Sequence, residues 1–182
     1  LPLQSGSDTI LSAMNRHYTR EQYLRTARLF RSLIPDGTIS TDIIVGFPGE
    51  TEEEFGETLD FVQRIGFSAI HVFKYSKRAG TKAAEMKDQL SEDVKHRRSN
   101  MLISAAKRMS KDYRAGFVGR IEKVLVEEEE VIDGTKYYVG HNERYLKLAV
   151  EAADALTDPV NRIIDVKVIR LLTDDILLCG MI

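Results

Sequence analysis

The feature that most limits the fold is a strand, a helix and a second strand joined by short turns in the first half of the chain. Residues 39–45 are predicted to form a strand that ends in three consecutive β-branched apolar residues, which is typical of a parallel strand covered on both faces. After the turn Gly46–Gly49, Thr51 and Glu54 match a capping box that opens a helix, and residues 69–75 form the next strand. Such units make right-handed parallel crossovers. The first half therefore predicts an α/β fold.

Polar and glycine residues cluster where the predicted strands end. The chain opens with the strand-like Leu1–Leu3, followed by Gln4–Ser7, and the later strands lead into Val45–Glu50 and Lys74–Thr81. In barrels and doubly wound sheets, function lies at the carboxyl ends of the strands. We therefore expect any active-site contribution from these three segments. A strand at the first residue usually has another before it, so we expect the chain to be part of a larger protein.

A long helix with a basic face is predicted after residue 90. It extends from Ser91 to about Gly116, and residues 95–120 contain eight Lys or Arg against the single acid Asp112. A solvated helix face and a surface for a phosphate backbone are both consistent with this pattern.

From Phe117 onward the apolar period changes to that of strands. About five short strands follow within about 65 residues, with a hairpin turn at Asp133-Gly134. This pattern predicts a small antiparallel β-barrel. We divide the chain into a part of an α/β barrel (1–90), a linking basic helix (91–116) and a β-barrel domain (117–182).

The composition excludes several classes of site. The single cysteine, Cys179, excludes an internal disulfide and a cluster ligated by this chain alone, which needs three or four thiolates. The four histidines show no metal-ligand spacing, so we expect no metal site. No apolar run approaches the roughly 18 residues of a membrane span. We expect a cytoplasmic protein that does not bind a membrane.

Four segments together carry a resemblance to a known family. They are Leu1–Ser7 with Met14–Thr19, Ser40–Thr51, His71–Thr81 with Ala83-Ala84, and Gly140–Lys147. In this order and spacing the first three closely resemble the later strands of the radical S-adenosylmethionine (SAM) methylthiotransferases, and the fourth looks like their TRAM domain. The resemblance covers essentially the whole chain. It implies a partial (β/α) radical SAM barrel followed by an OB-like antiparallel β-barrel.

The resemblance also implies cofactors that this chain cannot hold by itself. The family uses SAM and two 4Fe–4S clusters, together with an electron donor, and both cysteine sets are missing here. The clusters should then lie upstream of Leu1, and the chain alone should be inactive, with neither catalytic nor metal-binding residues of its own.

A part of the SAM site is expected at the strand ends. Gln4, Ser5 and Ser7 would contact ribose or methionine, unless they form only a turn. Arg16 would pair with the methionine carboxylate, or else belong to a surface ion pair. By the resemblance, Val45 and Gly46 would contact adenine. Phe73 and Tyr75 would flank the nucleoside, with a core position as the alternative.

The second half of the chain would bind the anticodon stem-loop of tRNA. The candidate residues are Arg108, Lys111, Arg114, His141, Asn142, Tyr145 and Lys147. Cations bind phosphates and aromatic rings stack on unpaired bases. Tyr138 is expected in the barrel core, and Glu127–Glu130 is expected to be a solvated loop facing away from RNA.

Three branches of the family are candidates. Residues 72–84, with Lys77 and Lys82 where the isopentenyl branch more often has proline, most resemble the threonylcarbamoyladenosine enzymes, as does Asn142–Lys147. The alternatives are action on isopentenyladenosine in tRNA, action on an aspartate of a ribosomal protein, and a non-catalytic RNA-binding module. The exposed edge of a partial barrel also predicts self-association.

Overall fold

The protein is described by a computed structural model that covers residues 1–155 and 157–182. The chain forms two compact units, Leu1–Met109 and Ser110–Ile182, and the division falls inside one long helix, Glu92–Ala115. The three-part assignment from the sequence remains a prediction.

The first unit contains two parallel strands and the helices that connect them. The elements are α1 (Asp8–Ala13), α2 (Arg20–Leu33), β1 (Ser40–Val45), α3 (Glu52–Ile65), β2 (Ala69–Lys74), α4 (Lys82–Glu85) and α5 (Glu92–Ala115). Strands β1 and β2 pair in parallel from Ser40↔Ala69 to Val45↔Lys74. The N-terminal segment pairs with β1 through Gln4, whose amide donates to the Asp42 carbonyl at 2.9 Å. The predicted α/β class is confirmed.

The core of the first unit lies on one face of β1. Thr41, Ile43 and Val45 are almost fully buried there, whereas Asp42 and Ile44 alternate onto the opposite face. The core also takes apolar side chains from α2 and α3, namely Tyr23, Leu24, Ala27, Phe55, Phe61, Val62 and Ile65. The helices thus cover the first face, and the face with Asp42 and Ile44 is left for a site.

Capping boxes open both α2 and α3, as the sequence pairs Thr19/Gln22 and Thr51/Glu54 predict. Thr19 accepts a hydrogen bond from the Gln22 amide, and the Gln22 side chain accepts one from the Thr19 amide at 2.9 Å. Thr51 and Glu54 make the same reciprocal pair at the start of α3. Each cap stabilises its helix by about 1 kcal/mol, so local sequence fixes where both helices begin.

The second unit is a closed five-stranded barrel over its described residues. Its strands are β3 (Ile121–Ile132), β4 (Thr135–His141), β5 (Lys147–Glu151), β6 (Ile163–Leu171) and β7 (Ile176–Met181), in the order β3-β4-β5-β7-β6. Four neighbouring pairs are antiparallel, and β5 and β7 are parallel. The prediction of an antiparallel barrel is corrected at this pair, because an odd number of strands cannot close with every neighbour antiparallel.

The barrel interior is filled by small and branched side chains. Val124, Val126, Leu148, Val150, Val166, Val168, Leu177 and Cys179 form its main cluster, and Tyr138 packs against it, as expected from the sequence. Gly140 lies where β4 packs closely against its antiparallel neighbour β3, and a Cβ there would stand 1.8 Å from the Leu125 carbonyl oxygen. The close approach accompanies a β-bulge between Val126 and Glu128.

Candidate functional site

A cleft of about 540 Å³ lies at the carboxyl ends of the parallel strands. It is lined by Gln4, Asp42, Ile44, Phe47, Phe73, Lys74, Tyr75, Ser76, Arg78, Thr81 and Ala83. Its walls are mostly apolar, and a few polar groups converge on them. This composition is usual for small-molecule and cofactor sites, and the location is the one expected for a parallel sheet.

Gln4, Phe73 and Tyr75 are the predicted cofactor residues that line this cleft. Gln4 has a left-handed backbone (φ 67°) and is nearly buried, while Phe73 is 53% exposed although it lies on a strand. Tyr75 packs edge-on against Phe47, with ring centroids 5.4 Å apart. The structure therefore places Phe73 and Tyr75 at the cleft.

The hydroxyl of Tyr75 is buried and has no hydrogen-bond partner among the described residues. An unsatisfied buried hydroxyl costs roughly 1–3 kcal/mol. The ring of Tyr75 thus lines the cleft, while its hydroxyl lies buried behind the surface of the protein.

Ser5 and Ser7 do not line the cleft. Ser5 is fully buried with its hydroxyl 3.4 Å from that of Thr58, and the Gly6 amide donates to Thr58 Oγ1 at 3.1 Å. A Cβ on Gly6 would lie 2.7 Å from the Thr58 Cα. Ser5 and Gly6 therefore form a close-packed turn against α3, whereas the buried Ser7 hydroxyl has no hydrogen-bond partner among the described residues. The contact of these serines with ribose or methionine stays a prediction.

The adenine contact at Val45 and Gly46 stays a prediction, and neither residue lines this cleft. Val45 belongs to the core. Gly46 has φ 73°, and a Cβ there would lie 2.4 Å from Cγ of Lys95, so the space beside this glycine is filled by lysine. Arg16 is exposed and does not line the cleft.

A buried ion pair behind the cleft was missed from the sequence. Glu50 accepts hydrogen bonds from the Gly46 amide at 2.7 Å and from Nη1 of Arg98 at 2.6 Å, and both side chains are almost fully buried. Burial raises the pKa of Glu50, and the Gly46 amide and Arg98 oppose that rise. Arg98 also donates to Glu52 at 2.5 Å. The only sequence signal was an acidic residue ending a glycine turn.

The predicted basic face of α5 is smaller than expected. Lys95 and Arg98 are buried in ion pairs with Glu92 and with Glu50, because this side of the helix packs on the first unit. Arg108 is exposed. Within the second unit, Lys111 and Arg114 pair with Asp174 at 2.8 Å and with Asp175 at 3.2 Å.

His141 and Tyr145 form a stacked pair on the barrel. Their ring centroids are 4.6 Å apart at an interplanar angle of 23°, and Tyr145 is 84% exposed at φ 61°. The buried Asn142 builds the turn between them: its amide nitrogen donates to Glu122, and its oxygen accepts from the backbone amides of Arg144 and Leu146. Asn142 therefore positions the stacked pair and has its amide group committed to internal bonds.

The acidic run is a strand and lies beside the candidate RNA-binding residues. Glu127–Glu130 belongs to β3, so the predicted solvated loop is wrong. Glu127 contacts Nδ1 of His141 at 2.9 Å, and Glu130 contacts Nζ of Lys147 at 2.6 Å. These carboxylates hold the two candidate side chains against the barrel, and Glu130 offsets the positive charge of Lys147.

The residues present do not fit an iron–sulfur cluster. The single cysteine is buried in the barrel core, and the described part of the chain has no group of three His, Cys, Asp or Glu arranged to hold a metal ion. Over the same residues, none of the helices is long and apolar enough to cross a membrane.

Comparison with known proteins decides the family. Residues 1–62 match the model of the Radical SAM superfamily. The chain is 44% identical over 170 residues to the tRNA-2-methylthio-N(6)-dimethylallyladenosine synthase of Clostridium botulinum (strain Okra / Type B1), which covers 93% of the chain and 37% of the relative. The chain belongs to the radical SAM methylthiotransferase family. The family resemblance predicted from the sequence segments is thereby confirmed.

Two further relatives show the range of the methylthiotransferase family around this chain. The enzyme of the same name from Thermoanaerobacter sp. (strain X514) is 52% identical over 136 residues, covering 75% of the chain and 29% of the relative. The threonylcarbamoyladenosine tRNA methylthiotransferase MtaB of Bacillus subtilis (strain 168) is 37% identical over 171 residues, covering 93% of the chain and 37% of the relative. The chain spans roughly a third of the length of the relatives it matches.

Proposed function

We propose that the chain is the C-terminal part of a tRNA methylthiotransferase that adds a methylthio group to C2 of an N6-modified adenosine. The observation that carries this proposal is the identity to tRNA methylthiotransferases over 93% of the chain. The longer protein would be a cytoplasmic enzyme that takes electrons from a separate donor.

Within that enzyme the cleft would hold the nucleoside end of SAM. The cofactor and the clusters of the longer protein would supply the radical chemistry. The chain itself would contribute apolar walls at Ile44, Phe47 and Phe73, together with the aromatic ring of Tyr75. Asp42, which also lines the cleft, would accept hydrogen bonds from hydroxyl or amine groups.

The barrel would contribute to tRNA binding through its stacked pair. An exposed tyrosine supported by a second ring presents a rigid π-face, which unpaired bases prefer regardless of sequence. Leu125, the cross-strand neighbour of His141, and Ile163, the next residue across, extend this face with exposed apolar surface. Lys147 would contact a phosphate group in exchange for Glu130, and Arg108, in the first unit, would contact another.

Two substrate branches are supported by different observations. The segment at residues 72–84, with Lys77 and Lys82, supports threonylcarbamoyladenosine. The second candidate is dimethylallyladenosine, the isopentenyl-type substrate, because relatives named for it are 44% and 52% identical against 37% for MtaB.

The test is to express the full-length protein that contains this chain in a bacterial strain lacking both tRNA methylthiotransferases. Mass spectrometry of the tRNA nucleosides would then detect any 2-methylthio product. We expect 2-methylthio-threonylcarbamoyladenosine. Restoring only the dimethylallyl product would select the second candidate, and restoring neither product with a soluble, cluster-loaded protein would contradict tRNA methylthiolation.

A further inference from the structure

The segment that connects β2 to α4 has an unusual charge pattern. Between residues 74 and 82 it contains Lys74, Lys77, Arg78 and Lys82, while residues 72–84 include no Asp or Glu. Like charges this close together raise each other's energy unless anions lie nearby. We call residues 76–82 the cationic loop.

The cationic loop is a defined turn beside the cleft. The Thr81 hydroxyl donates to the Arg78 carbonyl at 2.8 Å and accepts from the Ala84 amide at 3.3 Å, while Gly80 takes φ 80°. Arg78 and Thr81 line the cleft. The turn therefore holds its cations at the edge of the candidate cofactor site.

Three cations of this region have no carboxylate partner in the described part of the chain. Lys74 pairs with Glu92 at 3.6 Å, whereas Lys77, Arg78 and Lys82 are exposed and form no ion pair there. By comparison, Lys111, Lys123 and Lys136 each contact a carboxylate at 2.8 or 2.9 Å. The cationic loop thus concentrates unneutralised positive charge next to the cleft.

We propose that the cationic loop binds an oxyanion of the RNA substrate and positions the target nucleoside at the edge of the cleft, beside the SAM site, with Arg78 and Lys77 as the main contacts. This inference rests on the proposed function. A guanidinium matches a carboxylate or a phosphate through two parallel hydrogen bonds, and lysine adds a point charge. The two oxyanion sources are the carboxylate of a threonylcarbamoyl group and a backbone phosphate beside the target nucleoside.

The carboxylate source would make the cationic loop a determinant of specificity. A threonylcarbamoyl group carries a carboxylate, while a dimethylallyl group is apolar and has nothing for Arg78 to bind. A site that uses a charged contact discriminates strongly against a substrate that lacks it, because its own charges are then left unpaired.

The test measures binding of this chain to three anticodon stem-loops in the absence of SAM, so that the methionine carboxylate cannot contribute. The stem-loops carry adenosine, dimethylallyladenosine or threonylcarbamoyladenosine. The variants are Lys77→Gln and Arg78→Gln. The control is Arg25→Gln, which removes one exposed charge from α2, outside the loop and the cleft.

The carboxylate source predicts that Arg78→Gln weakens binding of the threonylcarbamoyl stem-loop about tenfold and of the other two at most about twofold. The phosphate source predicts a similar loss on all three. Losses no larger than those of Arg25→Gln on every stem-loop would overturn the proposal.

A second measurement separates this proposal from the proposed function. If the folded wild-type chain binds none of the stem-loops, tRNA recognition by this chain fails, and inorganic phosphate then serves as the probe. Saturable shifts of the Gly80 and Thr81 amide resonances that disappear in Arg78→Gln would support the oxyanion site. The absence of such shifts would overturn it.

Discussion

Glu50 connects the turn after β1 to helix α5. Its carboxylate accepts hydrogen bonds from the Gly46 amide and from Arg98, and both charged side chains are nearly excluded from water. Burying two charges is costly and is offset only when their hydrogen bonds are satisfied. Since Phe47 belongs to the same turn and lines the cleft, the ion pair positions one cleft wall from behind.

Replacing Arg98 tests this positioning. Arg98→Ala leaves the Glu50 carboxylate buried without its cation, so we expect the free energy of unfolding to fall by about 3–5 kcal/mol. The neighbouring Arg97, which pairs with Glu52 at the surface, is the matched control, and Arg97→Ala should cost about 0–1 kcal/mol. Urea denaturation monitored on both variants gives the comparison, and equal losses would contradict a buried role for Arg98.

Cys179 is expected to be an inert thiol in the folded chain. Burial raises the pKa of Cys179 to about 12, far above that of an exposed thiol. The reactive thiolate is therefore scarce at neutral and mildly alkaline pH. Alkylation followed by mass spectrometry should label the unfolded chain from about pH 8 and leave the folded chain unlabelled up to about pH 10. Rapid labelling of the folded chain near pH 8 would show that the thiol is accessible and ionised.

At the scale of elements, the barrel depends on one close approach between two paired strands. The backbone of β4 at Gly140 meets the carbonyl of Leu125 on β3, beside the bulge at Val126. Bulges strengthen the twist of a strand, which closure of a small barrel requires. His141 is the last residue of β4, so the close approach of the two strands also positions the stacked pair.

A methyl group at Gly140, where the two strands approach closely, should be poorly tolerated. In Gly140→Ala the new Cβ would overlap the Leu125 carbonyl, which is backbone and cannot move aside, so we expect a loss of about 3 kcal/mol or more. Gly134, at φ 82° in the hairpin and facing open space, is the control, and Gly134→Ala should cost about 1–2 kcal/mol through strain alone. Thermal unfolding measures the stability of both variants. A Gly140→Ala variant as stable as the wild type would contradict the close approach of β4 to β3.

At the scale of the whole molecule, the sequence predicted what is decided locally. The order of strands and helices and both capping boxes follow from periodicity and from residues three positions apart. Local patterns could not predict the parallel pairing of β5 with β7 or the strand at Glu127–Glu130. Both are imposed by barrel closure, which overrides the polar character of the acidic run.

The same distinction between local and distant contacts applies to the candidate site. Gln4, Phe73 and Tyr75 were found because strand ends locate a cleft in any parallel sheet. The burial of Arg98 was missed because its carboxylate partners lie 46 and 48 residues away in sequence. The burial of Lys95 was missed because it depends on packing within the first unit. Likewise, the internal bonds of Asn142 depend on Glu122, which lies on a different strand.

The most direct test of tRNA recognition is the affinity of this chain for an anticodon stem-loop with an N6-modified adenosine, measured over a salt series. We expect binding to weaken steeply with salt, because cations release counterions from phosphates. Tyr145→Ala should cost about 1–3 kcal/mol of binding free energy through lost stacking, with Val118→Ala, a change at another exposed apolar side chain, as the control. Binding by the folded chain that is absent, or insensitive to both salt and Tyr145→Ala, would contradict a role in tRNA recognition.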